Sequence, residues 1–526
     1  MDSLLPTSIY PKPQFFIAII FLPAKISKSF LWELMTFDDL LNLVSSAKVP
    51  DICADSRLVK AGGVFVAITG TIFDGHDFID RAAARGAKYI VADKRGAKYE
   101  IPGTGCEIIL VEDSAQSAAI LAQASRGNPA SKLTNLAVTG TNGKTTVAYL
   151  VRSVVQKAGP KCGLVGTIVY DTGLASYQAD LTTPDCFAIA DRQQQMVKAG
   201  SKYMVIEASS HALAQNRLAG IKFKAAAFTN LAGDHLDYHK TKAEYLNAKT
   251  KLFSSLSTDA AAVLNKQSPE AKQVAQKTNA KILWYAIDEP ADIVAHIESM
   301  DINGTAFVLE YSGQSSIVNR QSSIVTTSLL GRYNVSNHLA AAGLCLAAGF
   351  DLETVAAGLS ALKAVPGRME KLDREGVSVF IDYAHSDDAL ENALSALKTF
   401  CRGTLIVVFG CGGDRDRTKR PRMAGVAEKL AGFVIVTSDN PRTERPADII
   451  SEVVAGFENP DSQTLIVEPD RKKAIELAIK TAAKEDIVLI AGKGHEDYQL
   501  IGTQKFDFCD KAVAVECLNK RLQSSE

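Results

Sequence analysis

The chain has 526 residues, which at roughly 150 residues per domain points to about three domains. Hydrophobic residues make up 47% and charged residues 22%, a globular composition that excludes a wholly disordered, collagen-like or coiled-coil chain. With 58 basic and 59 acidic residues the net charge is −1, so neither nucleic acid nor an anionic membrane is expected as a partner.

The apolar run 15–22 (FFIAIIFL) is eight residues long and closed by Pro23, far short of the about 20 residues of a membrane span. Lys12 is the only cation before it, a poor start for an export signal. Met35-Thr36-Phe37-Asp38 reads as a helix start, with Thr36 or Asp38 as cap and Leu40, Leu41 and Val44 on the apolar face. Residues 1–34 are therefore expected to be an extension outside the core. Nine scattered cysteines contain no CxxC pair, as for free thiols in a reducing cytoplasm.

Residues 35–132 alternate short strands (64–68, 89–91, 108–111) with helices (78–87, 114–124), the pattern of a small α/β domain. A second unit, 133–364, opens with a strand at 136–139, a glycine loop, and a helix in which Val147, Leu150, Val151, Val154 and Val155 recur at helical spacing. Strands follow at 203–206 and 225–228. Residues 290–330 predict a small antiparallel patch, with turns at Asn303-Gly304 and Ser312-Gly313 and a short duplication, QSSIV, at 314–318 and 321–325. Near Val365-Pro366-Gly367-Arg368 a third unit begins and runs to 526. Its strands at 377–381, 405–409, 434–436, 465–467 and 487–490, with helices at 388–399 and 471–483, predict a doubly wound, mainly parallel sheet.

The strongest motif is Gly140-Thr141-Asn142-Gly143-Lys144-Thr145-Thr146, set between strand and helix. Backbone N–H groups of such a loop approach phosphate at the positive end of the helix. Lys144 is placed to reach the β/γ-phosphates and Thr145 to ligate Mg²⁺. The general motif wants another glycine five residues before the Gly-Lys pair, where this chain has Val138. A GTPase would want an NKxD string, and the nearest, Asn265-Lys266-Gln267-Ser268, lacks the aspartate. Of eight histidines, six (His211, His235, His239, His338, His385 and His495) lie in short polar strings, which argues for polar sites at strand ends. Glu207 closes the apolar strand YMVIE, a natural place for a cation ligand.

Seven strings occur in order: GTNGKTT, Glu207-Ala-Ser-Ser-His211, Asn230 to His239 (NLAGDHLDYH), Asn334-Val-Ser-Asn337, Pro366-Gly-Arg368-Met-Glu, Asp382-Tyr-Ala-His385 and Ser438-Asp-Asn-Pro-Arg442. The ordered set resembles the Mur ligase family from about Met35 to the C-terminus. The resemblance implies three domains: one for a UDP-sugar, a central ATPase, and a Rossmann-like domain that brings an amino acid. It implies a cytoplasmic, monomeric, ATP-dependent ligase joining meso-2,6-diaminopimelate to the D-glutamate of UDP-N-acetylmuramoyl-L-alanyl-D-glutamate in peptidoglycan precursor synthesis. Lysine is the alternative amino acid. A folylpolyglutamate synthase is the alternative enzyme, and an ATP-dependent switch the alternative class.

By the same resemblance, Thr145 and Glu207 hold Mg²⁺, and His235 holds a second. Lys249, ten residues after His239, is carbamylated to N6-carboxylysine, with Lys251 as the register alternative. A carbamate beside cations attracts them where an ammonium would repel. Asn337, Arg368, Asp382 and His385 are implied for ATP. Ser56, Thr71, Ile72, Phe73, Thr182, Thr183, Ser209, Gln215 and Arg217 are implied for the UDP-sugar dipeptide. Arg420, Asp439, Asn440, Pro441, Arg442, Gly492 and Glu496 are implied for diaminopimelate, with Arg442 on its distal carboxylate and Glu496 on an ammonium.

Overall fold

A computed structural model describes residues 35–98, 105–233, 236–312, 320–374 and 376–525. The extension 1–34, His235, the turn residue Gly313 and the first QSSIV copy lie outside the described residues. The fold is α/β, built on three mainly parallel sheets.

Thr36 opens the first helix, Phe37–Ser45, by a reciprocal cap: its hydroxyl accepts from Asp39 N, and the Asp39 carboxylate accepts from Thr36 N. Two otherwise orphaned N–H groups are thereby satisfied. Leu40 and Val44 then pack into a core with Ala118, Leu121 and Ala122. The sheet beneath has four parallel strands, Ile52–Cys53, Val64–Val66, Tyr89–Ala92 and Glu107–Leu110. The helix expected over 78–87 begins earlier, as a 3-10 turn Gly75–Phe78 followed by Ile79–Ala84. Asp74 accepts from His76 N and starts that turn before the apolar periodicity begins.

The middle sheet has eleven strands among the described residues. Its parallel centre runs Lys281–Ile287, Ala261–Asn265, Phe223–Phe228, Thr134–Thr139, Tyr203–Glu207, Cys162–Val165. Val147, Leu150, Val151 and Val154 of helix Lys144–Lys157 cover one face together with Leu339 and Leu359. Ile189, Met196, Leu246 and Phe253 cover the other. Buried on both faces, these strands read as continuous apolar runs. The antiparallel patch forms as Ile293–Asp301, Gly304–Tyr311 and Gln321–Thr327, and the second QSSIV copy lies in its last strand. An antiparallel pair at the opposite edge, Val169–Asp171 and Ser176–Gln178, was not legible beforehand.

The third sheet is ordered Glu370–Arg374, Val377–Asp382, Ile487–Ala491, Leu405–Phe409, Phe433–Val436, Leu465–Val467, parallel except for the first. The carboxyl ends of this sheet and of the middle sheet supply loops to one cleft of about 940 Å³. That is where open α/β sheets place their ligands.

Candidate active site

The glycine loop leaves strand Thr134–Thr139 and enters helix Lys144–Lys157, so its N–H groups and the helix dipole share one end. Two contacts require glycine. A Cβ on Gly140 would stand 1.9 Å from Thr229 Oγ1, and one on Gly143, at φ +91°, 2.2 Å from Asn337 Oδ1. The loop is pinned from the neighbouring strand end: Thr229 Oγ1 donates to Asn142 O (2.6 Å), and Asn230 Oδ1 accepts from Asn142 N (2.9 Å). Lys144 Nζ donates to Gly140 O and Thr141 O, at 2.9 and 2.8 Å. Its ammonium is thus curled over the loop where phosphate would sit.

Glu207 is fully buried at the end of the adjacent strand. One carboxylate oxygen accepts from Thr145 Oγ1 and Thr167 Oγ1, both at 2.9 Å, and the other from Thr167 N at 2.9 Å. Arg368 Nη2 donates to the same Thr145 oxygen at 3.3 Å. Hydroxyl plus carboxylate is the hard-oxygen set that Mg²⁺ takes. Gly166 leaves the Glu207 carboxylate unobstructed, since a Cβ there would lie 2.1 Å from it. Thr145 and Glu207 therefore fit a Mg²⁺ ion. Among the described residues no cluster of three or more His, Cys, Asp or Glu forms a further metal site.

Lys249 lies in helix Lys242–Ser254 with its side chain 1% exposed. Nζ donates to Gly140 O at 2.8 Å and stands 4.3 Å from the Tyr245 ring centre. Tyr245 in turn meets Thr141 Oγ1 at 3.2 Å. The structure thus brings Lys249, and not Lys251, to the glycine loop. Lys251 is exposed and donates to Ala214 O.

The turn before strand Glu370–Arg374 supplies Arg368, and the carboxyl end of strand Val377–Asp382 supplies Asp382 and, three residues on, His385. Arg368 lies over the Tyr383 ring, 4.4 Å from its centre. Asp382 accepts from Met369 N at 2.7 Å. Burial pushes its carboxyl pKa up, against the pull of Arg368. Lys419 donates to His385 O at 2.7 Å. His495, partly buried near Arg368, has its pKa lowered to about 3 by desolvation first and that guanidinium second.

The residues expected to meet a dipeptide gather beneath Glu207. Thr183 Oγ1 donates to Glu207 O (2.6 Å) and meets the Ser209 hydroxyl at 3.1 Å. Arg217 donates to Thr183 O (2.7 Å) and to Gln215 Oε1 (2.7 and 3.0 Å). Thr167 and Thr182 hydroxyls meet at 3.1 Å. Thr182, Thr183, Ser209, Gln215 and Arg217 all line the cleft. Of the first unit's four residues only Thr71 does so. Ser56 is buried, while Ile72 and Phe73 stand 83% and 70% exposed.

Asp439, Asn440, Arg442, Gly492 and Glu496 line the far end of the cleft, and Pro441 and Arg420 do not. Arg442 takes a left-handed backbone (φ 53°), with its guanidinium donating to Gly413 O at 2.8 Å. Arg420 is fully buried and paired with Glu444 and Glu452, each at 2.8 Å. The guanidinium beside Glu444 holds that carboxyl down at about 2. Arg420 therefore braces the loop from behind. Sequence reasoning missed Thr167, Asn230 and Lys493, which touch the site across the fold. Lys493 stands in the sequence between Gly492 and Glu496, both implied for diaminopimelate.

Three stretches match known family descriptions: residues 48–126 "Mur ligase family, catalytic domain", 138–345 "Mur ligase middle domain", and 367–494 "Mur ligase, glutamate ligase domain". The chain is 43% identical over 482 residues to the UDP-N-acetylmuramoyl-L-alanyl-D-glutamate–2,6-diaminopimelate ligase of Geobacillus kaustophilus, covering 90% of this chain and 96% of that protein. It matches the ligase of the same name from Geobacillus thermodenitrificans at 43% identity, with 90% and 96% covered. A solved structure of a ligase with this name superimposes with a TM-score of 0.62 at 32% identity, covering 90% of this chain and 95% of that one.

Proposed function

The chain belongs to the Mur ligase family, and on that premise we propose that it adds meso-2,6-diaminopimelate to the D-glutamate of UDP-N-acetylmuramoyl-L-alanyl-D-glutamate at the expense of ATP. The observation that carries this reading is one shared cleft, which joins the Thr182–Arg217 cluster, in contact with Glu207 through Thr183, to the Asp439–Arg442 loop. An enzyme that condenses two molecules needs both ends in one cavity.

The glycine loop and Lys144 hold the triphosphate. The γ-phosphoryl group passes to the glutamate carboxylate, giving an acyl phosphate and ADP. The amine of the incoming amino acid then attacks the acyl carbon, forming the amide, releasing phosphate and losing a proton to solvent. Negative charge builds on phosphate and then on the tetrahedral carbon's oxygen, so cations at that point lower both barriers. Arg368, held by Tyr383 and aimed at Thr145, is one such cation, supplied by the turn before strand Glu370–Arg374. Thr145 and Glu207 would hold Mg²⁺, which would supply Lewis-acid stabilisation of the phosphoryl oxygens. Carbamylated Lys249 and His235 are the proposed ligands of a second ion. Thr183, Ser209, Gln215 and Arg217 orient the dipeptide, and Arg442 with Glu496 reads the distal zwitterion of diaminopimelate.

We further propose that the enzyme works as a cytoplasmic monomer. No described helix is long and apolar enough to cross a membrane, and all nine cysteines are free thiols. Phosphate release is the test. It is expected only when UDP-sugar dipeptide and diaminopimelate are both present, with lysine, ornithine and alanine far poorer. Release that ignores the acceptor, or a folate acceptor preferred to the UDP-sugar, would reject the reading.

A further inference from the structure

Lys493 is fully buried, yet it stands beside the pocket rather than in a core of carbon. Nζ donates to Glu496 Oε2 at 3.0 Å and to Asn440 Oδ1 at 3.1 Å. Asn440 Nδ2 donates to that same Glu496 oxygen at 2.8 Å, and Asn440 Oδ1 also accepts from Leu500 N at 2.9 Å. The ring of Tyr498 lies 5.3 Å from the ammonium. Three side chains thus form one closed unit, two of them lining the cleft, and Lys493 supplies its positive charge.

A buried carboxylate is costly without a cation, and a buried cation is costly without a carboxylate. Lys493 therefore does two things to the pocket: it fixes the Glu496 rotamer and it offsets that carboxylate's negative charge. A substrate end carrying both carboxylate and ammonium needs a near-neutral wall with separated charges. One carrying ammonium alone binds best to a net-negative wall. We infer that Lys493 is a specificity-determining positioning residue, setting the local charge so that a zwitterionic side chain is accepted over a purely cationic one. This rests on the amino-acid pocket proposed above.

The experiment compares kcat/KM for diaminopimelate and for lysine in the full enzyme. Lys493→Gln is expected to lower the diaminopimelate-to-lysine ratio at least about tenfold, the size of one lost charge at short range in a partly screened site, with KM for ATP unchanged. Lys493→Arg, which keeps the charge, should stay within about threefold of the starting ratio. Lys493→Gln/Glu496→Gln removes both charges and should also return the ratio to within about threefold. If the single variant does not fold, the double variant is compared with Glu496→Gln, and loss of Lys493 should again lower the ratio about tenfold. An unchanged ratio in either comparison, with phosphate release still dependent on diaminopimelate, overturns the role of Lys493 alone. No diaminopimelate-dependent release from the unaltered enzyme would instead reject the pocket itself.

Discussion

Thr145 and Glu207, separated by 62 positions, meet at 2.9 Å, so the start of one helix and the end of the neighbouring strand share a single polar centre. The Glu207 carboxylate also accepts from Thr167 on the next strand's loop. Replacing it by Gln puts an amide N–H against one of these donors and removes the charge a cation needs. Glu207→Gln is expected to lower turnover at least about 10²-fold, read as phosphate release in excess Mg²⁺. Turnover within about threefold of the parent would remove Glu207 from the chemistry.

Lys144 carries the second prediction. Its ammonium rests on two loop carbonyls and is withdrawn from the phosphate site by Lys144→Ala. Because phosphoryl transfer works through positioning and charge, turnover should fall at least about 10²-fold while circular dichroism stays unchanged. A folded variant with near-normal turnover would contradict the assignment.

Lys249 tests the carbamate. Lys249→Ala should inactivate, and formate or acetate should partly restore activity by filling the anionic position beside Gly140. Lys249→Arg keeps a cation and should stay inactive. An active arginine variant would show that a cation, not a carbamate, is what the loop needs.

The strand–loop–helix around Lys144 was legible because glycine, lysine and threonine at fixed spacing have one local use. Thr36 as cap and the apolar faces Leu40–Val44 and Val147–Val154 were legible for the same reason: they are set by neighbours in sequence. Thr167 and Lys493 were not. Each acquires its role from a partner brought by the fold, Glu207 on an adjacent strand and Asn440 on a separate loop. Arg420 shows the converse. The resemblance implied it for diaminopimelate, and no spacing in the sequence announced that the fold buries it between Glu444 and Glu452.

His338 gives a pH dependence. It is fully buried in helix Arg332–Ala347, with Nδ1 donating to Asn334 O at 2.6 Å and Phe307 packed edge-on. Desolvation lowers its pKa to about 4 from an ordinary 6.5. Between those values the unfolded chain holds more protons than the folded one. Stability is therefore intact above about pH 6.5 and falls as pH drops towards about 4, by about 3 kcal/mol over the whole window. The drop in thermal midpoint between pH 7.5 and pH 5 should be smaller in His338→Asn than in the parent. Equal drops would remove His338 as the cause.

Arg442 decides the amino acid. Diaminopimelate differs from lysine by one distal carboxylate, and a planar guanidinium binds that group with two hydrogen bonds. The backbone of Arg442 is held by Leu500 O and Gly502 N, at 3.0 and 2.7 Å, in a left-handed conformation that aims the side chain from a fixed loop. The nearby carboxylate that would neutralise it, Glu444, is taken instead by Arg420 through contacts of 2.8 and 3.0 Å. Among the described residues the Arg442 guanidinium hydrogen-bonds to carbonyl oxygens, those of Gly413 and Asn440, which hold it without cancelling its charge. Its positive field therefore remains available in the cleft. Arg442→Ala should cost about 2–5 kcal/mol in kcat/KM for diaminopimelate, as for one member of a desolvated charge pair, and far less for lysine. Arg442→Lys keeps the charge but loses the two-pronged geometry, so it should recover part of the loss and not all. If Arg442→Ala weakens both amino acids equally, the guanidinium shapes the loop rather than reading the substrate. If lysine is the better substrate of the unaltered enzyme, the choice of amino acid is wrong while the ligase chemistry stands.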